Sequence, residues 1–314
     1  MDLVLWIDFT DANGSVMMQS VDGSNPVNTD GQYIGILKNK APGTIMEFGI
    51  PIPGTTPRKL GQWIRARKDD PGNEDEWKPV YKTGGVNGFS YAEFPSTGNV
   101  ILAGGFYSNF DSGEDATSWG CQTTTYFSDL KMDNHNMTTF IVLQPGAADT
   151  SNMHPFSMGG QYDIGTNNYK THFDIIRNPG EAWGALWTDS GPTGAEALLD
   201  SSAMADTNLR CISVVHDNTA HLVIDGTTED TEALNGPAKF EMQQTTAPTL
   251  TADPPGYVTI GGATSQGVLQ ASSFGETHWH GKIYEVLHFA KVLNGSETAV
   301  VEGYFASKYG ITFS

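Results

Sequence analysis

The sequence predicts an all-β fold, a sandwich of two antiparallel sheets closed by one short C-terminal helix. Three observations predict it. About a dozen short runs of apolar, β-branched and aromatic residues are separated by Gly, Pro, Asn and Asp clusters. The composition, with Gly 36, Pro 16, Trp 7, Tyr 11 and Phe 15, suits many short strands joined by turns better than a helical bundle. Helix signals are concentrated after Asn294-Gly295, in the last twenty residues of the chain.

Taken in order, Leu3 to Phe9 alternates, with Leu3, Leu5, Ile7 and Phe9 on one face, and reads as a half-buried strand. Asn13-Gly14 and Asp22-Gly23 mark turns, and Tyr33 to Leu37 is a second strand. Residues 41–90 carry six prolines, the basic run Arg65-Ala66-Arg67-Lys68 and the acidic Glu74-Asp75-Glu76. They predict a loop-rich insertion or attachment region within a single elaborated sandwich spanning 1–314. Strand signals resume at Phe89–Phe94, Asn99–Leu102 and Thr123–Phe127. Thr138 to Leu143 is a continuous apolar run stopped by Gln144-Pro145-Gly146, an interior strand. Met153–Met158, Tyr169–Ile176 and Ala185–Thr188 are weaker strands, and 189–208 reads as loop with a helical turn near Ala195–Leu199. Leu209 to Asp217 and Ala220 to Gly226 form an antiparallel pair, with Asp225-Gly226 a strong turn signal. Residues 230–255 are polar and read as loop, and Tyr257–Gly262 is another strand. Gly281 to Phe289 is the last strand. In the helix that follows, Ser296 is placed as cap, Glu297 in the first turn, Lys308 in the last turn and Gly310 just past the end. Val300, Val301, Tyr304 and Phe305 define its buried face.

At 314 residues and 33.8 kDa, one large β domain is long enough to hold all these strands. The formal net charge of −19 repels phosphate backbones and anionic membrane surfaces, which argues against nucleic-acid binding, and no apolar run approaches the length of a membrane span, which argues against membrane insertion. Two cysteines, Cys121 and Cys211, are no disulfide scaffold; a pairing between them stays open beside the reading of two buried thiols. No basic region followed by an apolar core stands at the N-terminus, which predicts either a chain made and used in a cytoplasm, favoured by Met1, or one already mature.

Four pieces carry a family resemblance: Trp6-Ile7-Asp8; Phe140-Ile141-Val142-Leu143-Gln144-Pro145; the hairpin from Val214 to Gly226; and the stretch from Tyr257 to Gly262 continuing through Gly281-Lys282-Ile283-Tyr284-Glu285-Val286-Leu287 to Lys308-Tyr309-Gly310. Together they resemble the concanavalin A-like, laminin-G-type jelly-roll superfamily, as found in phage virion proteins and bacterial surface proteins. The resemblance covers 120–314 well and 1–40 loosely. It implies a jelly-roll sandwich, a fold that hosts lectins, glycosidases, adhesion modules and capsid ornaments alike.

Candidate chemistry is sparse. A glycosidase of this fold would present alternating carboxylates from one strand, and the nearest string, Glu74-Asp75-Glu76, does not alternate, while Glu285 stands alone. The chain therefore reads as a non-enzyme, with a glycoside hydrolase or lyase the third-ranked function. His278, His280 and His288 invite a metal, but a hydrogen-bonded rim at a strand start is the stronger reading. Calcium is the one cofactor considered further, at Asp8, Asp11 and Asn13 near the first strand. For sugar stacking the candidates are Tyr107, Trp119, Trp183 and Trp187, aromatics in Gly- and Asp-rich surroundings.

The leading expectation is a non-enzymatic virion structural protein of a tailed phage, a capsid decoration or head or tail fibre-like protein. The alternative is a carbohydrate-binding adhesion module. The partners implied are phage capsid or tail proteins, a host-surface polysaccharide and further copies of the chain as a homo-oligomer. The expected location is the virion surface after synthesis in a host cytoplasm, with an extracellular location as the alternative.

Overall fold

A computed structural model of the chain describes residues 3–11, 17–19, 25–41, 48–50, 58–59, 63–66, 78–96, 102–104, 122–123, 136–147, 153–164, 167–188, 196–217, 219–233, 257–262 and 278–314. The first half holds strands β1 (Leu3–Asp8), β2 (Met17–Met18), β3 (Ile36–Lys38), β4 (Phe48–Ile50), β5 (Arg58–Lys59), β6 (Trp63–Ala66), β7 (Val80–Lys82), β8 (Tyr91–Phe94), β9 (Leu102–Gly104), β10 (Gln122–Thr123) and β11 (Met137–Pro145). The second half holds β12 (Met153–Ile164), β13 (Asn167–Arg177), β14 (Ala182–Thr188), β15 (Glu196–Ala203), β16 (Arg210–His216), β17 (Thr219–Ile224), β18 (Thr227–Ala233), β19 (Tyr257–Ile260), β20 (Gly281–Phe289) and helix α1 (Gly295–Tyr309).

An eight-stranded antiparallel sheet runs β18-β17-β16-β11-β20-β8-β7, with β1 also paired to β20. A nine-stranded sheet runs β15-β14-β13-β12-β19-β9-β6-β3-β2, and a small one runs β10-β4-β5. The all-β, two-sheet reading with one terminal helix is the observed architecture. The 41–90 stretch supplies strands to all three sheets: β4 and β5 to the small one, β6 to the nine-stranded one, and β7 to the edge of the eight-stranded one.

Side-chain alternation builds two apolar layers. Between the large sheets lie Leu5, Ile7, Ile141, Leu143, Ile212 and Val286 from one and Phe156, Met158, Phe173, Ile175 and Ile260 from the other. The opposite side chains of the eight-stranded sheet, among them Phe140, Val142, Tyr284, Leu287 and Phe289, form a second layer against Val301, Phe305 and Tyr309 of α1. The helix therefore covers the outer face of that sheet. Cys211 is a free thiol buried in this second layer, where desolvation pushes its pKa well up; Cys121 lies outside the described residues.

Four local expectations are corrected. In β1, a register irregularity between Leu3 and Leu5 leaves Leu5, Ile7 and Phe9 facing the inter-sheet core, while Leu3 joins Trp6 on the helix side. The helix is capped by Asn294, not Ser296: the Asn294 side chain accepts from the Ser296 and Glu297 amides, and Glu297 returns the bond to the Asn294 amide. Its buried face is Val301, Phe305 and Tyr309, at helical spacing, whereas Val300 is 61% exposed and Tyr304 38%. Edge strand β15 occupies residues read as loop with a helical turn, and the end of edge strand β18, 230–233, falls on residues read as loop; Asp200, Ser201 and Ser202 in the one and Thr227 to Glu232 in the other obscure them, and pairing to β14 and β17 holds them. Asp225 and Gly226, at φ 50° and 85°, make the tight turn expected of them, and it joins β17 to β18.

Phe305→Ala should cost about 3–5 kcal/mol of unfolding free energy, and Val300→Ala no more than about 0.5 kcal/mol. Urea denaturation of the two variants checks this; equal losses would contradict the assignment of the buried face.

Candidate functional site

The densest chemistry among the described residues lies where β1, β20 and α1 meet. Antiparallel pairing sets Asp8 directly opposite Glu285. On its other side β20 has a bulge: Val142 faces Glu285, Leu143 faces Ile283, and Tyr284 is the extra residue. The bulge breaks the alternation, so that Tyr284 and Glu285 both turn toward the helix. Glu285 is fully buried and accepts from the Trp6 indole N–H at 2.7 Å, the Tyr304 hydroxyl at 3.0 Å, the Lys308 ammonium at 2.7 Å and the Tyr309 hydroxyl at 2.6 Å. Lys308 also donates to the Tyr304 hydroxyl, sits 3.5 Å from Asp8 Oδ1, and lies 5.1–5.6 Å from the ring centroids of Tyr304, Tyr309 and Phe89. Asp8 accepts from the Thr10 amide and hydroxyl and from Lys40 at 2.7 Å.

The electrostatics fix the protons. Burial and then the Glu285 charge push the Tyr309 and Tyr304 phenols far above their ordinary range, so both remain donors. Burial raises the Asp8 pKa, but Lys308, Lys40 and Thr10 outweigh it and leave the carboxyl below its usual value. A glycosidase needs one carboxyl protonated toward the substrate and a second free to attack or to activate water. Glu285 is enclosed and saturated with four donors, and Asp8 is held ionised. The arrangement is a latch between sheet and helix.

The residues proposed from sequence for calcium are partly brought together here. Asp8 and Asp11 both approach Lys40 Nζ, at 2.7 and 3.2 Å, so an ammonium stands between the two carboxylates. Asn13 lies outside the described residues. Among those described, no group of three His, Cys, Asp or Glu side chains is placed to hold a metal. His278 and His288 do not converge: His278 bridges to Gly262 before β20 begins, whereas His288 lies near the far end of β20, roughly 24 Å along the strand from its start. His288 is fully buried, shares a 2.8 Å hydrogen bond with Thr139, and is held neutral by burial, its pKa lowered to about 3.

Of the stacking candidates, Trp183 is corrected. Alternation in β14 turns it inward, where it is 1% exposed and packs on Trp279 at 5.9 Å and on Arg177. The backbone of Trp187 pairs with Phe173 and Ala197, but its side chain lies outside the described residues, as do Tyr107 and Trp119. The exposed aromatics among the described residues are instead Tyr304, which the latch holds, and Tyr33, 38% exposed. Tyr33 ends an exposed polar loop that is tied in place. The Asn28 and Thr29 amides donate to Gln32 Oε1 at 2.8 Å, and the Thr83 amide and hydroxyl donate to Asp30 Oδ1. The Gly31 amide donates to the Tyr81 carbonyl, with Gly31 at φ 85°, and Tyr33 bridges to Val80 of β7. The result is an exposed aromatic residue at the end of a loop that carries Asn28, Thr29, Asp30 and Gln32 and is held by internal hydrogen bonds.

No protein-family model matches the chain, and no curated protein matches it. Solved structures do. The CBM40 module of a Ruminococcus gnavus IT-sialidase bound to alpha2,6 sialyllactose is 13% identical and covers 54% of this chain and 84% of its own, with a TM-score of 0.39. The binding domain of Paraclostridial Mosquitocidal Protein 1 is 9% identical, covering 83% of this chain and 52% of its own at a TM-score of 0.44. The leech intramolecular trans-sialidase is 14% identical, covering 62% and 26% at 0.41. At such identities the likeness concerns the β-sandwich alone.

Two measurements check the site. Glu285→Gln removes the buried anion that Trp6, Tyr304, Lys308 and Tyr309 all bond and should cost about 3–5 kcal/mol in urea unfolding; a loss below about 1 kcal/mol would refute the latch. Because the folded pKa of His288 lies near 3, the unfolded chain takes up a proton below about pH 6.5 that the folded chain refuses. Stability is thus full above pH 6.5 and falls as the solution is acidified, by about 1.4 kcal/mol per pH unit from this group. Between pH 7 and 5 a His288→Leu variant should lose about 2 kcal/mol less than the parent.

Proposed function

We propose that the chain is a non-catalytic carbohydrate-binding module whose stacking platform is Tyr33. The observation that supports this is an exposed aromatic residue that follows the polar residues Asn28, Thr29, Asp30 and Gln32 on a loop already held by internal hydrogen bonds. A pyranose offers an apolar face to such a ring and hydroxyls to flanking amide and carboxylate groups, and a prebuilt loop lowers the entropy cost of binding. Two further features favour a binding role at the rim. Helix α1 covers the outer face of the eight-stranded sheet, and the paired carboxylates Asp8 and Glu285 are consumed by the latch.

Charge narrows the ligand. Asp30 sits on the rim with its carboxyl held below the ordinary range, first by the Thr83 amide, and the chain carries a net −19. Neutral polysaccharides on a cell surface fit that field better than sialosides such as the one bound by the Ruminococcus gnavus module. Attachment to phage capsid or tail proteins has no comparable observation behind it, and the carbohydrate reading takes its place.

A glycan array carrying neutral and sialylated glycans, run with and without calcium, tests the proposal. Binding to neutral glycans is expected, and Tyr33→Ala should weaken it at least about tenfold while leaving the melting temperature unchanged. Binding that survives Tyr33→Ala, or none to any glycan, would contradict it.

A further inference from the structure

The latch holds the reactants for a covalent bond. Lys308 Nζ lies 3.5 Å from Asp8 Oδ1 and 2.7 Å from Glu285 Oε2, and its side chain is only 11% exposed. Well-oriented reacting groups held at about 3–3.5 Å have effective concentrations on the order of 10⁵–10⁸ M, enough to favour a condensation that is negligible between free groups. The rings of Phe89, Tyr304 and Tyr309 surround the ammonium. On the far side of the Asp8 carboxylate, Lys40 holds Oδ2 at 2.7 Å.

We propose that Lys308 and Asp8 condense into an intramolecular isopeptide bond, with Glu285 carrying the protons. The Lys308 ammonium passes a proton through Glu285 to Asp8 Oδ1, and the freed amine attacks the carbon of the now neutral carboxyl. Negative charge gathers on Oδ2, where the Lys40 ammonium stabilises it as an oxyanion-hole donor would. Oδ1, already carrying that proton, takes a second from the attacking nitrogen by way of Glu285 and departs as water. An ammonium and a carboxylate are consumed, one amide and one water are formed, and Glu285 ends as it began. No oxidant or other reactant is needed.

Lys308 is the nucleophile rather than Lys40 for a structural reason. Its second carboxylate, Glu285, is wholly buried and able to hold a proton away from solvent, whereas the second carboxylate of Lys40 is Asp11, which is 28% exposed. The bond would join the first strand to the last helix and close nearly the whole chain into a covalent ring. This inference does not rest on the carbohydrate reading.

Mass spectrometry of the denatured, purified full-length chain tests it. Corrected for the substitution, the parent should be lighter by one water than Lys308→Arg, which keeps the charge but has no amine to acylate. Glu285→Gln should retain the full mass, and Asp8→Asn should link with loss of ammonia instead. A tryptic peptide joining the segments around Asp8 and Lys308 should be present in the parent and missing from Lys308→Arg. A parent at full sequence mass, or a peptide joining Asp8 to Lys40, would overturn the proposal. The parent measurement stands whether or not the variants fold.

Discussion

A carboxylate buried without donors would be prohibitively costly, and Glu285 is buried completely at the centre of β20. Its four donors come from distant parts of the chain: Trp6 from the first strand, and Tyr304, Lys308 and Tyr309 from the terminal helix. Satisfying one anion therefore sets the register of β1 on β20, the bulge at Tyr284 and the rotation of α1 about its axis. The helix shows the effect. Its apolar stripe of Val301, Phe305 and Tyr309 meets Phe140, Leu287 and Phe289, while Tyr304 and Lys308 stand beside that stripe, at the charge. Hydrophobic burial supplies the stabilisation, and the anion makes one orientation better than its neighbours.

That constraint also separates structure from function. Carboxylates and tyrosines close together are the usual mark of an active site, yet here each polar atom of Glu285 is engaged and the tyrosine protons are held firmly. Perturbed ionisation at Tyr304 and Tyr309 reports a fastening rather than a ligand site. Ligand chemistry has to lie where side chains meet solvent, and the Tyr33 loop is such a place: its aromatic ring is exposed while the backbone beneath it is bonded to β7 and Gln32.

Much of the fold is legible in the sequence because it follows local rules. Ile141, Leu143 and Ile212 alternate with Phe140, Val142 and Cys211 as two-sided burial requires, Asp225-Gly226 makes its turn, and Gly310 ends the helix in the left-handed conformation. What is not legible depends on partners far away in the chain. Glu285 looks solitary beside its sequence neighbours, because Trp6 is 279 residues distant and Lys308 reaches it only across a turn and most of a helix. Asp8 and Asp11 are spaced as a cation site would be, and only the folded chain brings Lys40 between them. Trp183 reads as a loop aromatic until β14 is seen to turn it into the core. Tyr33, in a run read simply as strand, is exposed because it sits at the β7 edge, which no local pattern reveals. For β18 the polar sequence misleads, since edge strands tolerate polar residues on the face they leave in water.

The central claim is that α1 belongs to the core through Glu285 and is no appended lid. Native-state amide hydrogen exchange tests it most directly. The amides of α1, β1 and β20 should exchange together, at the free energy of global unfolding, because none of the three can leave without exposing the buried charge. Helix amides that exchange through a local opening well below that energy, with β20 still protected, would contradict it.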